Sequence, residues 1–513
     1  MELKRSSGIL LHPTSFPSAD GIGDLGPQAY YWVDFLKNAG CSIWQTLPLG
    51  PTGYGDSPYQ CFSAFAGNPY LVSSIILLDE GLLSSSDLAD RPTFPGTGID
   101  YGAAIQWKLK ILDRAYENFK KKDSPIHDEF KSFIEENNDW LSDFAAFMAI
   151  KEVQNGVRWT EWPKELKRSD SVGVMEFVSD HTDLITRHEF RQFLFFRQWQ
   201  NLKKYANDKG ITVIGDIPIF VSMDSSDVWS NPDLFYLDGE GNPTVVAGVP
   251  PDYFSATGQL WGNPLYKWPV HEKTGFEWWI KRVKATLKLC DIIRLDHFRG
   301  FCGYWEVPAQ NKTAENGRWV EGPGEAFLNA IQSSLGNLPL IAEDLGEITK
   351  DVANLRDEYN LPGMKILQFA FSDDARNLFL PSNYVKNCIA YSGTHDNDTT
   401  IGWYQTAPEK EKDFARRYFN TDGSNISWDM IREVWKSVAV YAIAPLQDFL
   451  CLGTEARMNY PGRPAGNWCY RFKSSDLTPD LAFRILDMNK TYNRITELNQ
   501  QPLNRPDIPY QKA

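Results

Sequence analysis

The sequence predicts an α/β fold, a (β/α)8 TIM barrel carrying a large helical insertion between its second and third strands. Three observations predict it. Eight short apolar runs occur along the chain, each ending in polar residues, glycine or proline. Stretches of helical periodicity separate them. The chain has 513 residues, enough for one large barrel with insertions. Runs that are hydrophobic nearly throughout belong to strands buried on both faces, as in a parallel sheet covered by helices. Eight such units fit a closed barrel better than an open doubly wound sheet, which pattern alone leaves as the alternative.

The first run is GILLHPTS (8–15), with His12 near its end read as a buried, hydrogen-bonded group. GIGDLG (21–26) is glycine-rich, but no dinucleotide-binding unit follows it, so it is read as a tight turn. AYYWVDFLKNAG (29–40) has helical spacing and leads to the second run, CSIWQTLPL (41–49). About 160 residues then pass before the third run, and they are rich in helical periodicity, as in IHDEFKSFIEENNDWLSDFAAFMAIKEV (126–153). They are read as a mostly helical insertion subdomain over about 56–205, beside a single barrel spanning 1–513. The third run, ITVIGDIPIF (211–220), precedes an aromatic, loop-like excursion over about 221–275. Long loops in compact domains are usually functional. This one is placed over the C-terminal strand ends, where barrels keep their active sites.

DIIRLDHF (291–298), LPLIAEDLG (338–346), MKILQFAF (364–371) and CIAYSGTHDND (388–398) supply the next four strands. DFLCLGTEA (448–456) is taken, less clearly, as the eighth. Helical patterns at FEWWIKRVKATLKL (276–289) and EAFLNAIQSSLG (325–336) alternate with them. Little chain remains after the eighth run for a further domain.

Composition narrows the function. A net charge of −14 argues against nucleic acid and anionic membrane surfaces as partners. Aromatic residues make up 14% of the chain, with 18 Trp, and Trp and Tyr are costly unless they pack or bind something. Seven cysteines, an odd number without CxxC spacing, suggest neither a disulfide framework nor a zinc site. Reduced thiols in a cytosol are the expectation. The N-terminus, MELKRSSGILLHPTSFP, has too short an apolar run for a signal peptide, and no stretch approaches a membrane span. Neither a GxxxxGK[ST] phosphate loop nor a GxSxG elbow occurs.

The ends of the runs carry the chemistry. In DIIRLDHFRG (291–300), alternation puts Arg294 and Asp296 on one face and Ile293 and Leu295 on the other. The apolar pair should meet the helices, which turns Arg294 and Asp296 inward, where the guanidinium favours a charged carboxylate. On this strand alone a structural ion pair is an equal alternative. Other runs end in Asp216, in Glu343 and Asp344, and in His395, Asp396 and Asp398. Acids crowded on one rim repel and cost stability unless chemistry requires them. Asp216, Asp296 and Glu343 would suit Mg²⁺. Glycoside chemistry, which needs two carboxyls in opposite protonation states, is the stronger alternative, and aromatic loops containing Tyr253, Phe254 and Trp261 could stack on sugars.

Taken as an ordered set, GILLHPTS, PTGYGDSPYQ (51–60), IGDIPIFV (214–221), GVPPDYFSATGQLWGNPLY (248–266), RLDHFRG, IAEDLG, SGTHDND and EARMNYPG (455–462) closely resemble the 4-α-glucanotransferases of glycoside hydrolase family 77, in the α-amylase clan. The resemblance runs from about residue 8 to about 472. It implies a barrel with long loops at the C-terminal face and no separate C-terminal β-domain. It also implies Asp296 as nucleophile, Glu343 as general acid/base and Asp396 as the third acid, which steadies the distorted sugar. Arg294, His395, Asp216 and Asp344 would hold the donor sugar beside the scissile bond. Tyr59 would be an aromatic platform there, with Ser57 in the same motif. Gln259 and Trp261 would be loop residues touching the glucan, and Tyr54 would belong to a remote second groove, while Tyr253 and Phe254 stay candidate sugar-binding aromatics with ordinary loop packing as the alternative.

The implied reaction is a retaining transfer of α-1,4-glucan segments to the 4-OH of glucose or another glucan, through a covalent glucosyl-enzyme. No metal or other cofactor is expected. The expected partners are maltooligosaccharides, amylose, glycogen or starch, and glucose, with the protein a monomer or weak homo-oligomer. A cytoplasmic location is expected, with a plastid location after transit-peptide removal left open. A hydrolase of the same clan would share all three acids, whereas a non-catalytic glucan-binding barrel should have lost at least one.

Overall fold

The computed structural model describes residues 3–121, 125–251, 255–346, 348–463 and 465–496. In chain order its strands are β1 (Ser6–Leu10), β2 (Ile43–Gln45), β3 (Thr212–Pro218), β4 (Val245–Val249), β5 (Gln259–Pro264) and β6 (Ile292–Asp296). They continue with β7 (Gly303–Pro308), β8 (Arg318–Glu321), β9 (Leu340–Ala342), β10 (Gly363–Ile366), β11 (Cys388–Tyr391) and β12 (Tyr441–Pro445).

Eight of these form one all-parallel sheet in the order β10-β11-β12-β1-β2-β3-β6-β9. The ring closes where the Ala342 N–H, at the end of β9, donates to the Pro362 carbonyl just before β10 at 3.0 Å. This is the expected (β/α)8 barrel. Parallel strands covered by helices must be apolar on both faces, and all five residues of β1 and of β12 are buried. Strands β1 and β2 lie close because Gly8 has no side chain: a Cβ there would sit 2.5 Å from the Ile43 carbonyl oxygen. The helices Pro27–Asn38, Glu277–Leu289 and Gly324–Leu335 fall on the three predicted helical patterns.

Between β2 and β3 the chain forms the helices Ser74–Asp79, Tyr101–Lys121, Ile126–Val153, Val172–Asp180 and Thr182–Asp208. The last ties this helical stretch to the barrel. Its Trp199 packs against Trp44 of β2 at 5.7 Å, and its indole N–H donates to the Leu289 carbonyl at 2.8 Å. One continuous apolar core therefore serves both regions.

Two expectations need correction. The eighth strand is β12, not 448–456, which instead runs from the short helix Leu446–Phe449 into a turn. The actual strand, YAIAP, is alanine-rich, and alanine is depleted in strands, so its sequence reads as a continuation of the preceding helix. The stretch 221–275 is also more than a loop. It contains β4 and β5, which join β7 and β8 in an antiparallel sheet of order β5-β4-β7-β8. Gly248 interrupts β4, Gly262 interrupts β5, and the first four residues of β5 are not buried, so no clean apolar alternation marks them. After β12 the described residues form helices and turns only.

Candidate active site

The candidate side chains gather at the C-terminal ends of the parallel strands, the end that carries active sites in this architecture. In the ladder between β3 and β6, Asp216 lies opposite Arg294 and Pro218 opposite Asp296. Opposed residues share a face, so Asp216, Arg294 and Asp296 all point into the barrel. Arg294 Nη1 donates to Asp216 Oδ2 at 2.6 Å and its Nη2 sits 2.8 Å from Asp296 Oδ1. Its Nε reaches Met364 Sδ across the interior at 3.4 Å. The guanidinium is thus a buried bridge between two carboxylates, and it occupies the space a cation between them would need. Asp216 is buried, which pushes its carboxyl up to about 7 against the pull of Arg294. Asp296 is 29% exposed at the side chain and open to a substrate.

Glu343 follows β9 and faces the same cavity. Two backbone amides hold it: the His297 N–H donates to Oε2 at 2.7 Å and the Leu345 N–H to Oε1 at 3.0 Å. The chain can present the first of these because His297 takes a left-handed conformation, φ 53°, directly after Asp296. Such a conformation is uncommon for a non-glycine residue and typical of functional turns. Burial, reinforced by the Asp296 charge and opposed by Arg294, pushes Glu343 up to about 7. The adjacent acid goes elsewhere. Asp344 accepts from the Met364 N–H at 2.7 Å and pairs with Arg356 of the helix Lys350–Glu358, so it sits in the layer between sheet and helix. Period-two alternation explains the split, and the structure does not bring Asp344 to the sugar site expected for it.

Asp396 lies on the loop after β11, and its side chain is 46% exposed. His395 Nε2 is 3.4 Å from Asp396 Oδ2, and Asn459 Nδ2 donates to Asp396 Oδ1 at 2.6 Å. Tyr59 stacks on the His395 ring, centroids 5.1 Å apart and 14° from parallel, and donates its hydroxyl to Asp216 Oδ2 at 3.0 Å. Burial and the Asp216 charge keep that phenol protonated, and burial likewise lowers His395 from its ordinary range. Tyr59 therefore links the Asp216–Arg294–Asp296 cluster to the loop of His395 and Asp396. Ser57 takes part indirectly, since its hydroxyl accepts the Tyr59 N–H at 3.2 Å and shapes that turn.

On β5, Trp261 sets its ring edge-to-face against His297 at 4.8 Å, next to the candidate nucleophile, and donates to Gln259 Oε1 at 3.2 Å. Tyr54 projects from the turn Tyr54–Asp56 and is 77% exposed. Tyr253 and Phe254 lie outside the described residues. His12, read as buried, is so: its ring contacts Thr14 Oγ1 at 2.7 Å and the Pro48 carbonyl at 3.3 Å, and burial lowers it to about 4.

Sequence reasoning passed over two residues that hold the Asp396 loop. Asn459 lies in the EARMNYPG motif, which carries the resemblance but gave no residue a role. Asp448, within the supposed eighth strand, accepts from Ser392 Oγ (2.6 Å), the Thr400 N–H (2.7 Å) and Thr400 Oγ1 (2.9 Å), clasping both ends of the loop. Chemically, the rim offers an arginine-paired carboxylate, an adjacent carboxyl that keeps its proton near neutrality, and a third, exposed acid.

The family model described as 4-alpha-glucanotransferase, glycoside hydrolase family 77, matches residues 11–478. A 4-alpha-glucanotransferase of Thermus thermophilus is 50% identical over 504 residues, covering 96% of this chain and 100% of that protein. The chloroplastic/amyloplastic 4-alpha-glucanotransferase of Solanum tuberosum is 43% identical over 502 residues, covering 96% of this chain and 87% of its own. Among solved structures, the amylomaltase from Streptococcus agalactiae in complex with acarbose superposes with a TM-score of 0.93 at 39% identity, covering 96% of this chain and all of that one. The amylomaltase from Corynebacterium glutamicum, at 18% identity and a TM-score of 0.76 over 96% of this chain and 75% of its own, shares the fold.

Proposed function

The chain belongs to the 4-alpha-glucanotransferase family, glycoside hydrolase family 77, and from that membership we propose a retaining double displacement with Asp296, Glu343 and Asp396 in the reacting roles. Asp296 attacks C1 of an α-1,4-linked glucan while Glu343 protonates the departing 4-oxygen. The C1–O4 bond breaks and an ester bond forms between C1 and Asp296. Glu343, now a base, takes the proton of an acceptor 4-OH, which attacks C1 and displaces Asp296 with the α configuration restored. Asp396, beside His395, steadies the flattened, positively charged sugar between these states.

The observation that carries this reading is the pairing of environments at the ends of β6 and β9. Asp296 is matched to a guanidinium at 2.8 Å, and Glu343 keeps its proton to about 7 beside it. A carboxylate paired to a guanidinium, beside a carboxyl that burial keeps protonated, is the arrangement that nucleophile and acid require. Tyr59, Asp216 and Arg294 would then line the donor sugar, and Gln259 and Trp261 of β5 the acceptor side. There, bound glucan excludes water and favours transfer over hydrolysis. A cytoplasmic location is part of the same reading, supported by seven free cysteines.

Incubation of the pure protein with maltotriose tests it. Glucose together with a ladder of longer maltooligosaccharides is expected, and glucose with maltose alone would make it a hydrolase. Asp296→Asn should lower turnover at least about 10⁴-fold with its melting temperature preserved. Substantial residual turnover would remove Asp296 from the nucleophile role.

A further inference from the structure

The segment EARMNYPG supplies none of the proposed reacting groups, yet it grips the loop of Asp396 at three atoms. The Asn459 backbone N–H donates to the His395 carbonyl at 3.1 Å, and Asn459 Nδ2 donates to Asp396 Oδ1 at 2.6 Å. Arg457 completes the strap: Nη2 donates to the Asp396 carbonyl at 2.6 Å and Nε to the Asn459 carbonyl at 2.7 Å. Its guanidinium rests on the Tyr460 ring, 4.4 Å from the centroid. Within this strap only the Asn459 amide reaches an oxygen of the carboxylate itself. The other oxygen, Oδ2, stays beside His395.

Asp396 needs such help more than its partners do. It stands on a loop, its side chain is 46% exposed, and an exposed carboxylate is free to rotate among staggered positions. A hydrogen bond to a charged acceptor is among the stronger ones, and this one engages a single oxygen. From this geometry we infer that Asn459 is a positioning residue for glucan transfer, whose side-chain amide fixes the rotamer of Asp396 and so presents Oδ2 to the reacting sugar. The inference rests on the reading of Asp396 as the third acid.

Four variants of the full chain, assayed on maltotriose, test it. Asn459→Asp keeps the shape but removes the donor, and it should lower kcat about 10²-fold. Asn459→Ala should lower it about 30-fold. KM stays within about 3-fold in both, because positioning of a group that acts in the transition state appears in kcat. Asn459→Gln, which retains an amide on a longer arm, should recover at least about 10-fold over Asn459→Ala. Asp396→Asn is the control and should be nearly inactive. Wild-type kcat in Asn459→Ala beside an inactive Asp396→Asn overturns the role of Asn459 and leaves Asp396 in place. An active Asp396→Asn overturns the reading of Asp396 itself. Loss of the folded state in both Asn459→Asp and Asn459→Ala, or a KM rise matching the kcat loss, would mean that Asn459 is structural and would also overturn the inference.

Discussion

Glu343 and Asp396 stand on the same rim, but the two regions that hold them are built differently. Glu343 follows a strand of the parallel sheet, and both its oxygens accept from backbone amides, those of His297 and Leu345. Its position therefore follows from the path of the main chain at the ends of β6 and β9. Asp396 lies five residues beyond β11 on a loop whose shape depends on side chains from elsewhere: Asn459 on its carboxylate and Asp448 at the loop's ends. A carboxyl held by backbone can be lost only by replacing it. One held by side chains can be displaced while it remains present, which makes the loop the part of the site that distant substitutions can reach.

The largest effect expected on this contrast falls at Glu343 itself. Glu343→Ala removes the proposed proton donor and should lower kcat on maltotriose about 10³–10⁴-fold. A donor bearing an α-fluoride at C1 needs no proton to leave, so formation of the glucosyl-enzyme from it should recover about 10²-fold. Failure of the fluoride to help would place the lost function outside proton donation. The pH profile sharpens the point: Glu343 holds its proton to about 7, so wild-type kcat/KM should fall as pH rises through that value. Stability follows the same direction. A carboxyl raised above its unfolded value contributes fully at pH below about 4.5 and loses that contribution as pH rises through 7. Glu343→Gln escapes this loss, worth about 1–3 kcal/mol, and should melt a degree or two above the wild type at pH 8.5 but not at pH 4.

The loop should break at a distance. Asp448→Ala leaves Ser392 and Thr400 without the buried acceptor that joins them. Stripping a buried network of its acceptor costs on the order of 2–4 kcal/mol, seen as a melting temperature lower by several degrees. Turnover should also fall about 10-fold with Asp296, Glu343 and Asp396 all intact. Wild-type turnover in this variant would mean that the loop keeps its shape unaided and would erase the contrast with Glu343.

The same contrast explains what the sequence made legible. Period-two alternation and apolar runs report on strands, so seven of the eight barrel strands, the inward turn of Arg294 and Asp296, and the acid rim could be read directly. The eighth could not, because YAIAP resembles helix and the apolar residues of DFLCLGTEA a few positions on resemble strand. The small sheet of β4, β5, β7 and β8 was hidden by short strands, by Gly248 and Gly262, and by exposed residues in β5. Asn459 was invisible for a different reason: 63 residues separate it from Asp396, and its role is set wholly by where the chain returns. Strand chemistry is written locally, whereas loop chemistry is written in tertiary contacts.

Asp344 gives the smallest effect and the cleanest test of alternation. It is next to Glu343 in sequence, and in the family resemblance both touch the sugar. In the fold they face opposite sides of the sheet, Asp344 toward the Met364 amide and Arg356. Asp344→Asn keeps an acceptor for that amide but removes the ion pair with Arg356, which is itself partly exposed. The melting temperature should fall by a degree or two, while kcat and KM on maltotriose stay within about 3-fold of wild type. A KM raised more than 10-fold at unchanged melting temperature would return Asp344 to the donor sugar. The face of the sheet on which an acid stands would then be a poor guide to its role, even one residue away from Glu343.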